Sequence, residues 1–304
     1  PTEKRVDFEV LRNVQTKDVD KGTVARGSAT CPCCGYTTPV ASVREQLKMR
    51  GGGATDARLF CVVTTRPGER GRFYRVPNSL DLKTVREAAL ELERRKSAHR
   101  GSLSLVPEET LPLMSGVFNV PLYGHNTWGS LFTPRQALSL TTLARLIREG
   151  PIAAECSSSQ ETSLRDGVWD SADGFSAAVR TCLALALDRQ ADFSSSTCSW
   201  WNGGEKIQHT FGRQALPMIW DFAEGNPWSS STGCWSGAYE WGALFCEHVR
   251  SIGLRQGSAN LASATAHPLP DDSASVFFTD PPYYNAVPYA DLSDFFYVWL
   301  KRSV

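Results

Sequence analysis

The sequence predicts an α/β chain, and three observations carry that reading. An apolar run, SVFFT (275–279), leads through a tight turn into a stripe of Leu292, Phe295, Phe296, Trp299 and Leu300 at helical spacing. RLFCVVTTR (58–66), the turn PGERG and RFYRVP (72–77) read as a β-hairpin. Between these lie long stretches with apolar residues on one helical face. At 304 residues and 41% hydrophobic content the chain is large enough for one large domain or two ordinary ones with a true core.

Taken in order, RVDFEVL (5–11) alternates like a strand, and a turn-rich unit around CPCCG follows it. A helix is expected near 40–49, ending at Gly51-Gly52-Gly53, and the hairpin comes next. From Asp81 to about Ala98, Leu82, Val85, Ala89 and Leu92 mark an amphipathic helix whose outer face is dense in Arg, Lys and Glu. A Pro/Gly-rich connector covers about 101–130. The best-signposted helix begins at Thr133 as N-cap, with Pro134 at the first helical position, Gln136 completing a capping box, and Gly150 as the stop. Residues 151–172 read as loop. Phe175 to Leu187 is apolar nearly all round and predicts a buried helix. After a Trp-, Ser- and Gly-rich stretch (193–235), a helix over about 236–251 places Trp241, Leu244, Phe245 and His248 on one face. Three regions result: a cysteine-containing β unit with the hairpin (1–78), a mainly helical region (79–254) and the strand–turn–helix unit (255–304).

Charge is balanced, with 32 basic and 32 acidic residues, so no global field advertises a polyanionic partner, although a local basic patch can hide in the sum. No apolar run approaches the ~20 residues that span a bilayer. Nine cysteines, an odd number and mostly scattered, argue against a secreted disulfide framework and for a reducing, cytoplasmic setting. Pro1 at the start and a strong helical pattern running almost to Val304 suggest an internal piece of a longer chain.

The chemistry concentrates in FFTDPPYYNAVPY (277–289). Ligands of open α/β sheets bind beyond the carboxyl ends of strands, where Asp280 is expected. Pro281 and Pro282 fix φ and remove two backbone donors, leaving carbonyls as acceptors in a stiff arc. A carboxylate plus a carbonyl can accept both hydrogens of an –NH₂ group, and Tyr283 offers a face for a planar ring. The site suits an aromatic amine such as that of adenine or cytosine. Its lone pair is delocalised into the ring, and acceptors aimed at its hydrogens stabilise the positive charge that grows during alkyl transfer. A base within a duplex must be flipped out to reach such a pocket.

TDPPYY followed by VPYADLSDFFYVWLKR resembles the catalytic motif of amino-methyltransferases that modify adenine or cytosine in DNA. More narrowly, it resembles the adenine-specific DNA methylases that contain a zinc ribbon. ATCPCCGYTTP, LFTPRQALSLTTLARLI and EKIQHTFGRQALPMIWDFAEGNP look like the same group, so the resemblance covers most of the chain. It implies a Rossmann-like, S-adenosylmethionine-dependent methylase core interrupted by a long, mainly helical insertion with a small zinc-ribbon-like β unit. Asp280, Pro281, Pro282 and Tyr283 match the motif that holds the target amine, with Asp280 and Pro281 also near the methionine part of the cofactor. Asn285 departs from the family's usual aspartate, and no acid follows Ser263 where one often nears the cofactor's adenine. The family's glycine-rich F-x-G-x-G turn is absent from these residues. The complete protein is therefore expected to be the enzyme, and this stretch alone to be inactive. Duplex DNA with a flipped base is the implied partner, alongside other subunits of a defence or modification system. A methylase acting on RNA or another amine, and a non-catalytic nucleic-acid-binding subunit, remain alternatives.

Cys31-Pro32-Cys33-Cys34-Gly35 contains a C-x-x-C with the proline and glycine that shape a zinc knuckle, so Cys31 and Cys34 are the candidate ligands. The usual second C-x-x-C is missing. Cys61 is the nearest other thiol in sequence and Cys33 a local substitute, and a metal-free ribbon is the competing reading. Cys156, Cys182, Cys198, Cys234 and Cys246 read as core or loop thiols. The five histidines are far apart, with no Ser-His-Asp spacing to pursue. Trp200, Trp201, Trp220, Trp228 and Trp235 either pin loops onto a core or stack on bases. Arg135 and Arg213 each follow a turn signal, placing them for surface ion pairs or for phosphate contacts.

Overall fold

The structure is a computed structural model that describes residues 6–19, 22–152, 172–254, 257–263, 265–266, 268–284 and 286–304. Its N-terminal part is built from short antiparallel ladders. Strands β1 (Val24–Ala25), β2 (Ser28–Thr30) and β3 (Thr37–Thr38) form one sheet in that order, with Ala29 opposite both Val24 and Thr38. The CPCC turn connects β2 to β3. Helix α1 (Val40–Met49) follows where the sequence places it. Strands β4 (Val62–Thr64) and β5 (Phe73–Arg75) are the expected hairpin, with Val62 opposite Arg75. Residues 6–12 run as coil rather than the expected strand. Val6 and Leu11 are exposed, and the Phe8 ring lies 5.6 Å from that of Phe60, with the Arg58 guanidinium 4.9 Å over it.

Helix α2 (Ser79–Ala98) begins earlier than its apolar stripe indicates. Asn78 and Asp81 cap each other reciprocally, and a capping box sets a helix start independently of hydrophobic period. Helix α3 (Pro134–Glu149) starts as the sequence dictates: the Thr133 N–H donates to Gln136 Oε1 at 2.8 Å, and the Gln136 N–H to Thr133 Oγ1 at 3.3 Å. Helix α4 (Ala172–Asp192) is amphipathic rather than buried all round. Ala184, Leu187 and Ala191 are buried, whereas Phe175 and Leu185 are exposed, because α3, α5 and α6 cover only part of its circumference. The Arg180 guanidinium of α4 donates to the carbonyls of Ile147, Arg148 and Gly150, satisfying acceptors that the end of α3 leaves open.

Strands β6 (Trp200–Trp201) and β7 (Lys206–Ile207) form a third small ladder, and helix α5 (Trp235–Ser251) follows. Helix α6 (Tyr289–Ser303) closes the core. Phe295 and Trp299 are fully buried among Trp128, Phe132, Leu140 and Leu187. The rings meet mostly edge to face: Phe132 and Trp299 at 5.1 Å and 88°, Phe211 and Phe295 at 5.1 Å and 90°. Such pairs add ~0.5–1.5 kcal/mol beyond the area they bury. Among the described residues no helix is long and apolar enough to cross a membrane.

Candidate functional site

The Asp280–Tyr283 motif sits on an extended, exposed segment that ends in a rigid anchor. Residues 275–279 form no strand and belong to none of the described sheets, so the expected strand before the motif is coil. A strand exists through its ladder, and apolar alternation alone does not supply a neighbouring edge. Asp280 is exposed, with no hydrogen bond or ion pair to its carboxylate among the described residues. Tyr283 is 73% and Tyr284 99% exposed, so both rings keep open faces. Asp280, Pro281, Pro282 and Tyr283 thus present an uncommitted carboxylate, two stiff residues and an aromatic ring in direct succession. Asn285 and Cys156 lie outside the described residues.

Six residues beyond Tyr283 the chain enters α6, and the C-terminal end of α6 is held by several side-chain bonds. Arg302, 6% exposed, donates to Glu109 Oε1 and Oε2 at 3.0 and 3.1 Å, to the Ser104 carbonyl at 2.8 Å and Oγ at 3.0 Å, and to the Val298 carbonyl at 2.6 Å. Lys301 also pairs with Glu109. Burial pushes the Glu109 carboxyl up, but the Arg302 and Lys301 bonds outweigh that and hold it at about 2. Arg148 of α3 donates to the Arg302 carbonyl at 2.8 Å. The motif is therefore an exposed segment joined in sequence to a helix whose far end is tied into the core.

The Gly51–Gly53 turn makes no cofactor loop. It follows α1, and a Cβ at Gly52 would lie 2.5 Å from the Tyr123 carbonyl oxygen and 2.7 Å from the Gly124 Cα. These glycines permit two backbones to cross, which explains the triplet without a ligand. Asp280 and Pro281, both exposed, do not by themselves enclose a molecule the size of adenosylmethionine. A cavity of about 1230 Å³ lies elsewhere, between the N-terminal coil, the β4–β5 hairpin and residues 218–222, and a smaller one of about 240 Å³ is lined by residues 197–213. Neither includes residues 280–283. His125 lines the large cavity; its Nδ1 donates to the Ser130 carbonyl at 3.0 Å, and burial lowers its pKa to about 4, so the ring is neutral near pH 7.

The CPCC unit has the turn of a metal knuckle. Gly35 takes φ of 73° and donates its N–H to the Cys31 carbonyl at 2.9 Å, while the Cys31 N–H returns to Tyr36. Backbone amides of Cys34 and Cys33 point at the Cys31 sulfur and lower its pKa. Cys31, Cys33 and Cys34 are all exposed. Among the described residues no group of three or more His, Cys, Asp or Glu side chains is placed to hold a metal ion. A structural zinc requires four donors, so the knuckle formed by the described residues does not fit one.

Of the two arginines, Arg135 is committed: its guanidinium is bidentate to Glu224 at 2.6 and 2.7 Å. Arg213 is exposed and has no acidic partner among the described residues. The tryptophans divide likewise. Trp235 packs against the core and Trp200 meets Tyr74 edge to face, whereas Trp201 and Trp228 stay exposed. No protein-family model, curated protein or solved structure matches the chain.

Proposed function

We propose that this chain carries the amine-holding part of an S-adenosylmethionine-dependent DNA methyltransferase that acts on an exocyclic amino group, with adenine the favoured base. The observation that carries the reading is the exposed, uncommitted Asp280 carboxylate, followed by Pro281-Pro282-Tyr283 and tethered to α6. The Asp280 carboxylate and the Pro281 carbonyl accept the two amine hydrogens and favour a tetrahedral nitrogen. Pro281 and Pro282 keep those acceptors aimed, because neither φ can relax. Tyr283 stacks on the extruded base and offsets part of the cost of unstacking it. The cofactor, when bound, supplies the electrophilic methyl group. A well-placed group that stabilises developing charge contributes about 2.7–4 kcal/mol, or 10²–10³ in rate. Asp280→Ala in the complete gene product should therefore lower methyl incorporation into duplex DNA by at least ~10²-fold. Unchanged incorporation would sink the assignment.

A further inference from the structure

The small cavity of about 240 Å³ is walled by Thr197, Ser199, Gln208, His209, Thr210, Gly212 and Arg213, and none of these is acidic. It is smaller than the ~300–1,000 Å³ typical of sites for drug-sized ligands. Its walls are rich in donors. Arg213 brings an exposed guanidinium with no counter-ion among the described residues. Gln208 Oε1 accepts from the Ser199 hydroxyl at 2.9 Å, which commits the amide oxygen and leaves its –NH₂ to donate. His209 Nδ1 pairs with Asp192 Oδ2 at 3.2 Å, so Nε2 is the ring nitrogen left for the cavity. Asp192 is engaged on both oxygens, since the other accepts the Phe211 N–H at 3.2 Å. Behind the wall, Ser195 Oγ lies 2.7 Å from both Thr197 Oγ1 and Thr210 Oγ1, and Thr210 donates to the Asp192 carbonyl, so the two segments are fixed to each other.

A small pocket with an arginine fork, an amide donor and an imidazole, and no carboxylate of its own, has the chemistry of a phosphate site. The adjoining hairpin says which phosphate. The Trp201 ring rests on the Gly203–Gly204 turn, stays 46% exposed and carries Lys206 Nζ 5.2 Å from its centroid. Lys206 of β7 lies two and three residues before Gln208 and His209 of the cavity wall, so the indole and its cation adjoin the cavity along the chain. A cation-lined track next to an aromatic surface is how proteins follow a nucleic-acid strand. We propose that the cavity between residues 197–199 and 208–213 binds a backbone phosphodiester of the nucleic acid, with Arg213 as its principal contact. The choice of a polymer rather than free phosphate rests on the nucleic-acid reading given under Proposed function.

The test is fluorescence anisotropy of a labelled oligonucleotide, duplex and single-stranded, against the complete gene product over a range of salt and without cofactor. Arg213→Ala should weaken binding ~3–10-fold and reduce the salt slope by about one, whatever the base sequence. Arg213→Lys, which keeps the charge, should retain the slope, and Arg213→Ala should leave the melting temperature within ~2 °C because the side chain is exposed and supports no fold contact. Equal binding by wild type and Arg213→Ala overturns the proposal and leaves the methyltransferase reading standing. Absence of oligonucleotide binding by the wild type overturns the nucleic-acid reading itself. In a parallel arm, inorganic phosphate that stabilises wild type but not Arg213→Ala, without oligonucleotide binding, also overturns the proposal by assigning the pocket to free phosphate.

Discussion

Glu109→Gln removes the negative charge that neutralises the anchor of α6. The substitution keeps shape and one acceptor oxygen but turns an –NH₂ towards the Arg302 donors, so one hydrogen bond is lost with the charge. Arg302 is 6% exposed and would be left as a buried cation facing no opposing charge among the described residues. Breaking a buried pair in this way costs about 3–5 kcal/mol. The lower end applies here, because Arg302 keeps acceptors at the Ser104 carbonyl, Ser104 Oγ and the Val298 carbonyl. About 3 kcal/mol is a large share of the ~5–15 kcal/mol that holds a typical domain folded. Urea unfolding at pH 7 should show a lower midpoint with unchanged slope. Acidification provides an internal check on sign. The folded Glu109 carboxyl lies at about 2, below its unfolded value, so its contribution is present above ~4.5 and lost as pH falls towards 2. The deficit of the variant should shrink over that window. A midpoint shift worth less than ~0.5 kcal/mol at pH 7 would refute the reasoning, placing Glu109 among surface pairs of little consequence.

Two further substitutions test the scaffold. Asp188 is buried in α4, burial raises its carboxyl to about 7, and its Oδ1 has no hydrogen-bond partner among the described residues. Its folded pKa lies above the unfolded one, so it opposes folding increasingly as pH rises from ~4 to 7, and Asp188→Asn should stabilise the chain at pH 8 by about 2 kcal/mol. His125 has the opposite sign, with a folded pKa of about 4 below the unfolded ~6.5, so stability falls as pH drops through that window. With Asp188 removed, chemical denaturation should reveal that fall. A variant whose stability stays level between pH 6.5 and 4 would contradict it. Thr133→Ala should cost about 1–2 kcal/mol by opening the α3 capping box, and Thr133→Ser should recover most of the loss in thermal melts.

What the sequence reveals here depends on whether the deciding interaction is local. Helix α3 is legible because Thr133, Pro134 and Gln136 settle its start within one turn. The β4–β5 hairpin is legible because its turn lies between its own strands. The stretches 6–12 and 275–279 have strand-like composition yet form no strand, since a ladder depends on an edge supplied from elsewhere. Burial was similarly opaque. The Trp241, Leu244 and Phe245 side chains of α5 are exposed, whereas the equally apolar Phe295 and Trp299 of α6 are fully buried. The Asp280–Tyr283 motif could be read because its residues are adjacent. The Asp192–His209 pair and the phosphate pocket could not, because only folding brings the end of α4 against the segment after β7.

The most direct test of the account is the identity of the base the complete gene product modifies. DNA incubated with the protein and isotopically labelled S-adenosylmethionine would be digested to nucleosides and resolved by mass spectrometry. The account predicts label on an exocyclic nitrogen, foremost as N6-methyladenine, and its loss in Asp280→Ala. Label on a ring carbon, or on the exocyclic nitrogen undiminished by Asp280→Ala, would contradict it.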